Sequence, residues 1–468
     1  MWTTSCFWRP HKNMNYAGTL EGTTRASRIR LSSVAIIVAA LILGIAVFAF
    51  DGGPQTFLGL ALGATLLTTL LYYPELALAL YVVVGDVKGD DRIAALLPVD
   101  LTLLLGAILL TGIVLNFIRK KPLLPMPSVY YVFIALIALM AASLTYTPNF
   151  DAGLEKVARF ATVTGIVIIA PFFVLGTPQA MKRFFFGFGV AAFAICSYSL
   201  ASLGGSERLA TPSDNTIGLG HIACALMLLL WFAVIPRYAF PQRMATYLLL
   251  IVPAIALVGS GSRGSAVACA IVVVLSLFFY RRLLLDVSCL AALGIAALPF
   301  LRIPESSLEY LGTLIGSRSV SALLSFRGDL LDLGWKLLMQ HPLFGVGIQG
   351  FRYSSPNPAL YNWPHNIFLE VACELGIPAG LLVCIIFGDT IREALRQLRD
   401  RVSPFFTLSQ LTAALFLIGI VNAMNTGDIN SDRSTWLFMS LVFVVRGYRI
   451  QSAREGAIPQ SQQILVPA

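Results

Sequence analysis

The chain has 468 residues, of which 57% are hydrophobic and only 12% are charged, and its formal net charge is +9. Ordinary soluble domains carry about 25% charged residues, so this composition argues against a soluble enzyme. The positive residues fall in short connections between apolar runs and not along one helix face, which argues against nucleic acid as a partner.

Apolar windows recur from residue 31 to residue 445 and predict an all-α polytopic membrane protein with about twelve to fourteen transmembrane helices. The third predicted span is short, which is typical of a broken or re-entrant helix. The spans are placed at 31–50, 54–73, 74–86, 98–118, 128–146, 154–175, 183–203, 216–235, 245–259, 263–280, 283–301, 366–390, 405–424 and 433–446.

The basic clusters of the connections predict the topology. If the basic N-terminal tail is inside, every strong basic cluster falls on that same side, as the positive-inside rule requires. The predicted organisation is therefore a cytoplasmic basic tail (1–30), N-terminal transmembrane helices (31–301), one long outer loop (302–365), C-terminal transmembrane helices (366–446) and a cytoplasmic tail (447–468).

The outer loop is far longer than any other connection, and long loops are commonly functional. Its segment 319–340 predicts an amphipathic helix along the outer membrane boundary, ended by Pro342 and Gly345. The apolar stripe of this helix consists of Leu323, Leu324, Leu330, Leu331, Trp335 and Leu338.

Metal and disulfide chemistry are not expected. None of the seven cysteines belongs to an exposed pair at metal-like spacing, and we interpret six of them as small hydrophobic residues within spans. The outer loops also lack the clustered carboxylates that hold a divalent cation against a diphosphate. We therefore expect a site that needs no metal and no cofactor.

The segment Trp363-Pro364-His365-Asn366 is the strongest candidate for chemistry. Pro364 restrains the backbone, and Asn366 is predicted to cap a helix that begins near Ile367. This turn would hold the His365 imidazole on the outer side, where it is suited to accept a proton near neutral pH. The alternative is a histidine that only caps the helix or fills the core.

Three arginines fall on the same predicted side as His365, namely Arg208, Arg263 and Arg327. Arg263 opens an apolar span, where an unpaired charge is costly, and a guanidinium fits phosphate oxygens. The alternative is that these side chains reach lipid headgroups.

Other signals favour structural roles. The sequence 345–350 matches GxGxxG, but no strand precedes it, and a loop with tight turns explains it better. Glu370 and Glu374 share a helix face and would either buffer His365 or join an ion-pair network. We interpret His221 and His341 as structural and Asp100 as a helix N-cap.

The ordered combination of these motifs resembles the O-antigen ligase and O-antigen polymerase superfamily. The resemblance rests on GSGSRGSA at 259–266, Arg327 followed by Trp335, HPLFGVGIQGF from His341, and His365-Asn366 followed by Glu-Leu-Gly at 374–376. A less regular segment contains Glu207-Arg208-Leu209 with Asn215 following. The specific matching covers roughly residues 200–390.

The resemblance implies a GT-C-type membrane glycosyltransferase with its site on the periplasmic side of a bacterial inner membrane, and both termini in the cytoplasm. Its donor would be a glycan on undecaprenyl diphosphate, and its acceptor a lipid A-core sugar for a ligase. His365 would be the general base, Arg208 and Arg263 would bind the diphosphate with help from Arg327, and Trp363, Asn366 and Glu374 would support the site. Two alternatives remain: a polymerase that joins lipid-linked repeat units, and a lipid-linked glycan transporter that needs no base.

Overall fold

A computed structural model describes residues 54–90, 100–203, 207–234, 240–277, 303–309, 320–355, 362–425 and 428–456. Side chains at 54–62, 233–234, 240–245, 320–327 and 455–456 are not part of this description. The regular elements within these residues are all helices, which confirms the predicted all-α class. The predicted tail 1–30 and the spans 31–50 and 283–301 lie outside the described residues.

The chain divides into two compact units, Met1–Tyr72 and Tyr73–Ala468. Helix α1 (Pro54–Tyr72) belongs to the first unit. The second unit contains α2 (Pro74–Val83), α3 (Leu101–Ile118), α4 (Val129–Ser143), α5 (Phe150–Val174), α6 (Pro178–Ser199), α7 (Thr216–Leu229), α8 (Phe240–Ser260), α9 (Arg263–Leu277), α10 (Val320–Gln340), α11 (Gly350–Ser354), α12 (Ile367–Leu375), α13 (Ile377–Arg399), α14 (Phe406–Ala423) and α15 (Arg433–Gly456).

Within the described residues, four helices are long and apolar enough to cross a membrane: α3, α5, α6 with its following turn, and α14. Four shorter apolar helices, in α4, α7, α8 and α9, add to them. These helices confirm the prediction of a polytopic membrane protein, because several apolar segments of this kind recur along one chain. The total of twelve to fourteen spans stays a prediction.

The loops of the second unit contact one another in two separate sets. One set joins segments that were all assigned to the outer side, and we call this the outer end. The other set, the inner end, joins residues 122–124, 175–177, 397–400 and 446–451. For example, the Tyr448 hydroxyl lies 2.6 Å from the Leu175 carbonyl oxygen, to which it can donate, and 2.9 Å from that of Thr177. These two sets of contacts are compatible with the predicted parity of the spans, which stays a prediction.

An aromatic cluster fills the core below the outer end. Trp436 of α15 is fully buried and packs edge-on against Phe133, Phe160 and Phe387 of α4, α5 and α13, with ring centroids 5.6–5.8 Å apart. Its indole N–H donates to the Ile429 carbonyl at 3.1 Å. Each such aromatic pair contributes about 0.5–1.5 kcal/mol beyond its buried area, so the cluster anchors the outer loop that precedes α15.

The predicted span 366–390 is not one continuous helix. The helix is interrupted at Gly376, which has φ +86°. Helix α13 then begins with Pro378 in its first turn. A Cβ on Gly376 would lie 2.2 Å from the Leu343 carbonyl oxygen, so only glycine fits this break. Hydropathy alone missed the break because both pieces are apolar.

Candidate active site

The turn that carries His365 has a strained backbone. His365 has φ +54°, in the left-handed region that histidine adopts more often than most residues but still at a cost of about 1 kcal/mol or more. The preceding Pro364 is buried, and the Asn366 side chain accepts hydrogen bonds from the amides of Phe368 and Leu369. The predicted cap is confirmed, and these constraints fix the direction of the imidazole.

Trp363 is a direct hydrogen-bond partner of His365. Its indole Nε1 lies 3.2 Å from Nδ1 of His365, and the two rings meet at an interplanar angle of 66°. Both side chains are half-buried. The turn therefore orients the imidazole through the backbone on one side and through an indole N–H on the other.

Asn366 also ties this turn to a second outer loop. Its Nδ2 donates to the carbonyl of Met424 at 3.3 Å, just after α14. One side chain thus caps α12 and joins it to the connection between α14 and α15. The predicted supporting role of Asn366 is compatible with these two contacts.

The loop that follows His341 docks backbone to backbone on the other end of α12. The amides of Val346 and Gly347 donate to the carbonyls of Cys373 and Glu374, at 3.0 and 2.9 Å. A Cβ on Gly345, which has φ +65°, would lie 2.4 Å from the Glu374 carbonyl oxygen. The GxGxxG-like sequence is therefore a loop with tight turns, as predicted, and the structure shows in addition that it docks on α12.

Replacement of this glycine has a definite expected cost. Gly345→Ala should lower the free energy of unfolding by about 2–3 kcal/mol, because it adds a Cβ to a left-handed residue against a carbonyl. Gly388→Ala is the matched control, since a Cβ on this helical glycine of α13 meets nothing within 4 Å. The control should be neutral or slightly stabilising, and heating of both variants in detergent measures the difference. Equal melting of the two variants would contradict the docking role.

A buried ion-pair network holds the middle of α12. Nζ of Lys156, in α5, lies 2.6 Å from Glu370 Oε1 and 2.7 Å from Glu374 Oε2, and all three side chains are at least 95% buried. Glu370 Oε2 also accepts the amide of Ile429 at 3.0 Å. Of the two alternatives for Glu370 and Glu374, the structure shows the ion-pair network.

The connection before α15 completes this network. The Asn430 side chain donates to the Lys156 carbonyl at 3.1 Å. Burial raises the pKa of the Asp432 carboxyl well above its usual range, and the Asp428 carboxylate raises it further. Asp432 Oδ2 is buried without a hydrogen-bond partner among the described residues, which fits a protonated carboxyl.

The predicted amphipathic helix is present as α10, but its apolar stripe divides in two. Leu330, Leu337 and Leu338 are buried against α12, whereas Trp335 is 56% exposed. Met339, one helical turn after Trp335, is exposed as well. The prediction of one stripe that included Leu330, Trp335 and Leu338 was therefore wrong, because the helix packs against α12 on one side and leaves another apolar side exposed.

Helix α10 also touches the His365 turn. A Cβ on Gly334 would lie 3.5 Å from Pro364 Cβ and 3.0 Å from the Leu369 side chain, so the helices cross closely at this point. Arg327 lies in α10, seven residues before Gly334, and its side chain is outside the description. Its predicted role stays a prediction.

Arg208 and Arg263 belong to one cluster at the outer ends of α8 and α9. Nε and Nη2 of Arg208 both donate to the carbonyl of Ser260, the last residue of α8, with Nε at 2.8 Å. Arg263 is the first residue of α9, three residues later, and is half-buried. Arg208 thus satisfies a helix-terminal carbonyl and positions the turn that carries Arg263.

A chain of contacts connects this cluster with the His365 turn around the outer end. Each link joins two outer segments through a hydrogen bond or a close approach. The links are Arg208 with Ser260, Ser262 with Gly220, Asn215 with Asp86, Gly85 with Arg433, Ile429 with Glu370, and Asn366 with Met424. The structure therefore brings Arg208, Arg263, Trp363, His365 and Asn366 to one end of the bundle.

Residues 246–384 match the family model of the O-antigen ligases. The chain contains an O-antigen ligase domain. This match confirms the resemblance found in the sequence, and it indicates an enzyme of the O-antigen ligase and polymerase type. No curated protein matches the chain.

The O-antigen ligase domain holds most of the candidate residues. Arg263, Arg327, Trp363, His365, Asn366 and Glu374 lie within residues 246–384. Arg208, Lys156 and the 428–432 connection lie outside the domain but contact it directly. The outer end is thus assembled from the O-antigen ligase domain and from helices on both sides of it.

Sequence reasoning missed Lys156 as part of the site. The residue lies near the start of an apolar span, where a lysine needs a partner, and that position was the available signal. Its partners are 214 and 218 residues away along the chain, so local spacing did not identify them.

Proposed function

We propose that this protein is an inverting, metal-independent O-antigen ligase of the GT-C type. It transfers a glycan from undecaprenyl diphosphate to a sugar hydroxyl of lipid A-core at the periplasmic face of the inner membrane. His365 is the general base, and the arginines of the outer end bind the diphosphate. The observation that carries the proposal is the strained turn that fixes His365 within the O-antigen ligase domain, at the same end as Arg263.

The strain at His365 supports a chemical role for this residue. A left-handed backbone at a non-glycine residue persists only where the surroundings impose it, and such residues concentrate at functional sites. Here Pro364, the Asn366 cap and the docking of α12 impose it together. A capping histidine would not need this conformation, because Asn366 already provides the cap.

The arginines support the diphosphate side of the proposal. A departing diphosphate develops negative charge, which fixed guanidinium groups stabilise without the rearrangement that water would need. Arg263 begins α9, whose N-terminal amides add partial positive charge at the same place. The described contacts of Arg208 give it a positioning role for this turn, and its own binding of diphosphate remains part of the proposal.

Complementation separates the proposed ligase from its alternatives. In a strain without a ligase, the ligase assignment predicts that this gene restores attachment of polymer to lipid A-core. A strain without a polymerase attaches only single repeat units. If this gene restores long glycan chains in that strain, the polymerase is favoured instead. A transporter would restore neither phenotype, and His365→Asn would leave its function intact.

The proposed grip of Arg263 on the diphosphate predicts the effect of a conservative change. Arg263→Lys keeps the charge but loses the planar fork, so activity should fall about tenfold or more. Initial rates at several donor concentrations measure this fall in activity. The fall should be largest at low donor concentration. Arg159→Lys, at an exposed arginine paired with Glu155, is the control. Full activity of Arg263→Lys would contradict a bidentate contact between Arg263 and the diphosphate.

A further inference from the structure

The hydrogen bond between Trp363 and His365 can run in only one direction. An indole N–H donates and has no lone pair with which to accept, so Nδ1 of His365 must be the acceptor. A neutral imidazole has one N–H, and with the lone pair on Nδ1 that proton is on Nε2. The tautomer of His365 is therefore set by its neighbour.

This tautomer restricts which nitrogen can act as a base. A base at Nε2 requires the proton on Nδ1, and the Nδ1–H would then point at the indole N–H of Trp363. That contact sets two half-buried N–H donors against each other, with no acceptor between them. The lone pair that the protein preserves is the one on Nδ1.

We propose that Nδ1 of His365 is the atom that receives the proton of the acceptor hydroxyl; this rests on the proposed transferase function. Trp363 is then a positioning residue. Its indole N–H is bound to Nδ1 until the acceptor hydroxyl replaces it. The hydroxyl proton passes to Nδ1 while its oxygen forms a bond to the anomeric carbon. The bond from that carbon to the diphosphate oxygen breaks, and its electron pair stays on the diphosphate. The imidazolium then returns its proton to water.

The local backbone explains how two residues this close in sequence can pair. Pro364 lies between them and is buried against Gly334 of α10, which fixes the middle of the turn. The positive φ of His365 directs its side chain toward Trp363, and the ring centroids are 5.7 Å apart. Trp363 also disfavours the imidazolium form of His365, because a proton on Nδ1 would point at the indole N–H of Trp363.

Removal of the indole N–H should therefore change the pH dependence. Trp363→Phe keeps an aromatic ring but no donor, so His365 protonates more readily. The acid limb of the kcat/KM profile should move to higher pH by roughly 0.5–1 unit, the equivalent of one neutral hydrogen bond. On the alkaline plateau, where the imidazole is neutral in both proteins, the loss of rate should be smaller than on the acid limb, and the part that remains reports the lost orientation of the ring.

Other charged groups near the turn do not confound this comparison, because they are the same in both proteins. They lie on the elements that pack against the turn or against α12. They are Arg327, Asp329, Asp332 and Lys336 of α10, Glu370 and Glu374 of α12, Lys156 of α5, Asp428 and Asp432 before α15, and Arg433 of α15. The difference between the two profiles thus reports Trp363 alone.

The test compares wild type, Trp363→Phe and the control Trp335→Phe, whose indole is exposed on α10. The control profile should superpose on that of wild type. The assignment of Nδ1 is overturned if the acid limb of Trp363→Phe stays in place or moves to lower pH. It is also overturned if kcat/KM falls by the same factor at every pH. If His365→Asn transfers glycan as fast as wild type, the proposed function itself fails.

A spectroscopic measurement tests the same assignment without the Trp363→Phe variant. In wild-type protein labelled with ¹⁵N-histidine in bilayers, the His365 resonances are identified by their loss in His365→Asn. At neutral pH we expect an unprotonated Nδ1 and a protonated Nε2. The opposite tautomer overturns the proposal.

Discussion

Lys156→Met should be strongly destabilising, with a loss of about 3–5 kcal/mol in the free energy of unfolding. The change leaves Glu370 and Glu374 buried at the centre of α12 without their shared cation, and uncompensated buried charges are costly. Loss of the folded, monodisperse protein on heating in detergent measures the effect. Glycan transfer should fall as well, because α12 carries the His365 turn.

The same helix provides the matched control for this prediction. Arg159 pairs with Glu155 at 2.7 Å, but both side chains are more than 60% exposed. Arg159→Gln should therefore change stability by less than about 0.5 kcal/mol. A triple variant with Lys156→Met, Glu370→Gln and Glu374→Gln should recover part of the loss, because it removes the stranded charges. A Lys156→Met protein as stable as Arg159→Gln would contradict the network's role.

His365→Asn should reduce kcat by about 100-fold or more, the usual contribution of a general base. Asparagine is the sharper test than alanine because it tolerates a positive φ and cannot take up a proton in this pH range. The KM for the lipid-linked donor should change little, since the proposal assigns the diphosphate to the arginines. Initial rates at several donor concentrations separate the two parameters.

His341→Asn is the control for this substitution. His341 lies in the exposed turn after α10, at the start of the HPLFGVG segment, and does not have the positive φ of His365. Its replacement should leave kcat within about twofold of wild type. Comparable losses in both variants would mean that the effect of His365→Asn comes from the loop and not from a base.

Local patterns in the sequence predicted much of the helical framework. The predicted span 154–175 corresponds to α5 at Phe150–Val174, and 405–424 corresponds to α14 at Phe406–Ala423. Hydropathy determines these helices because apolar length and membrane thickness are matched. The N-caps Asp100 and Asn366 were also predictable, since each lies directly before an apolar helix.

Features that depend on distant residues were not predictable from the sequence. The break at Gly376 depends on the loop after His341, which docks on the end of α12. The partners of Lys156 come from another helix, and the division of the α10 stripe depends on where α12 lies. For the same reason, the motif around His365 indicated a rigid turn but not its left-handed backbone.

The most direct test of the proposed chemistry is a transfer assay in sealed vesicles that contain the purified protein, an undecaprenyl-diphosphate-linked glycan and lipid A-core. Both products should be measured, the glycosylated lipid A-core and the released undecaprenyl diphosphate. We expect wild type to form them in equal amounts and His365→Asn to form almost none. Movement of intact lipid-linked glycan across the bilayer at equal rates in both proteins, with no glycosylated product, would contradict a transferase.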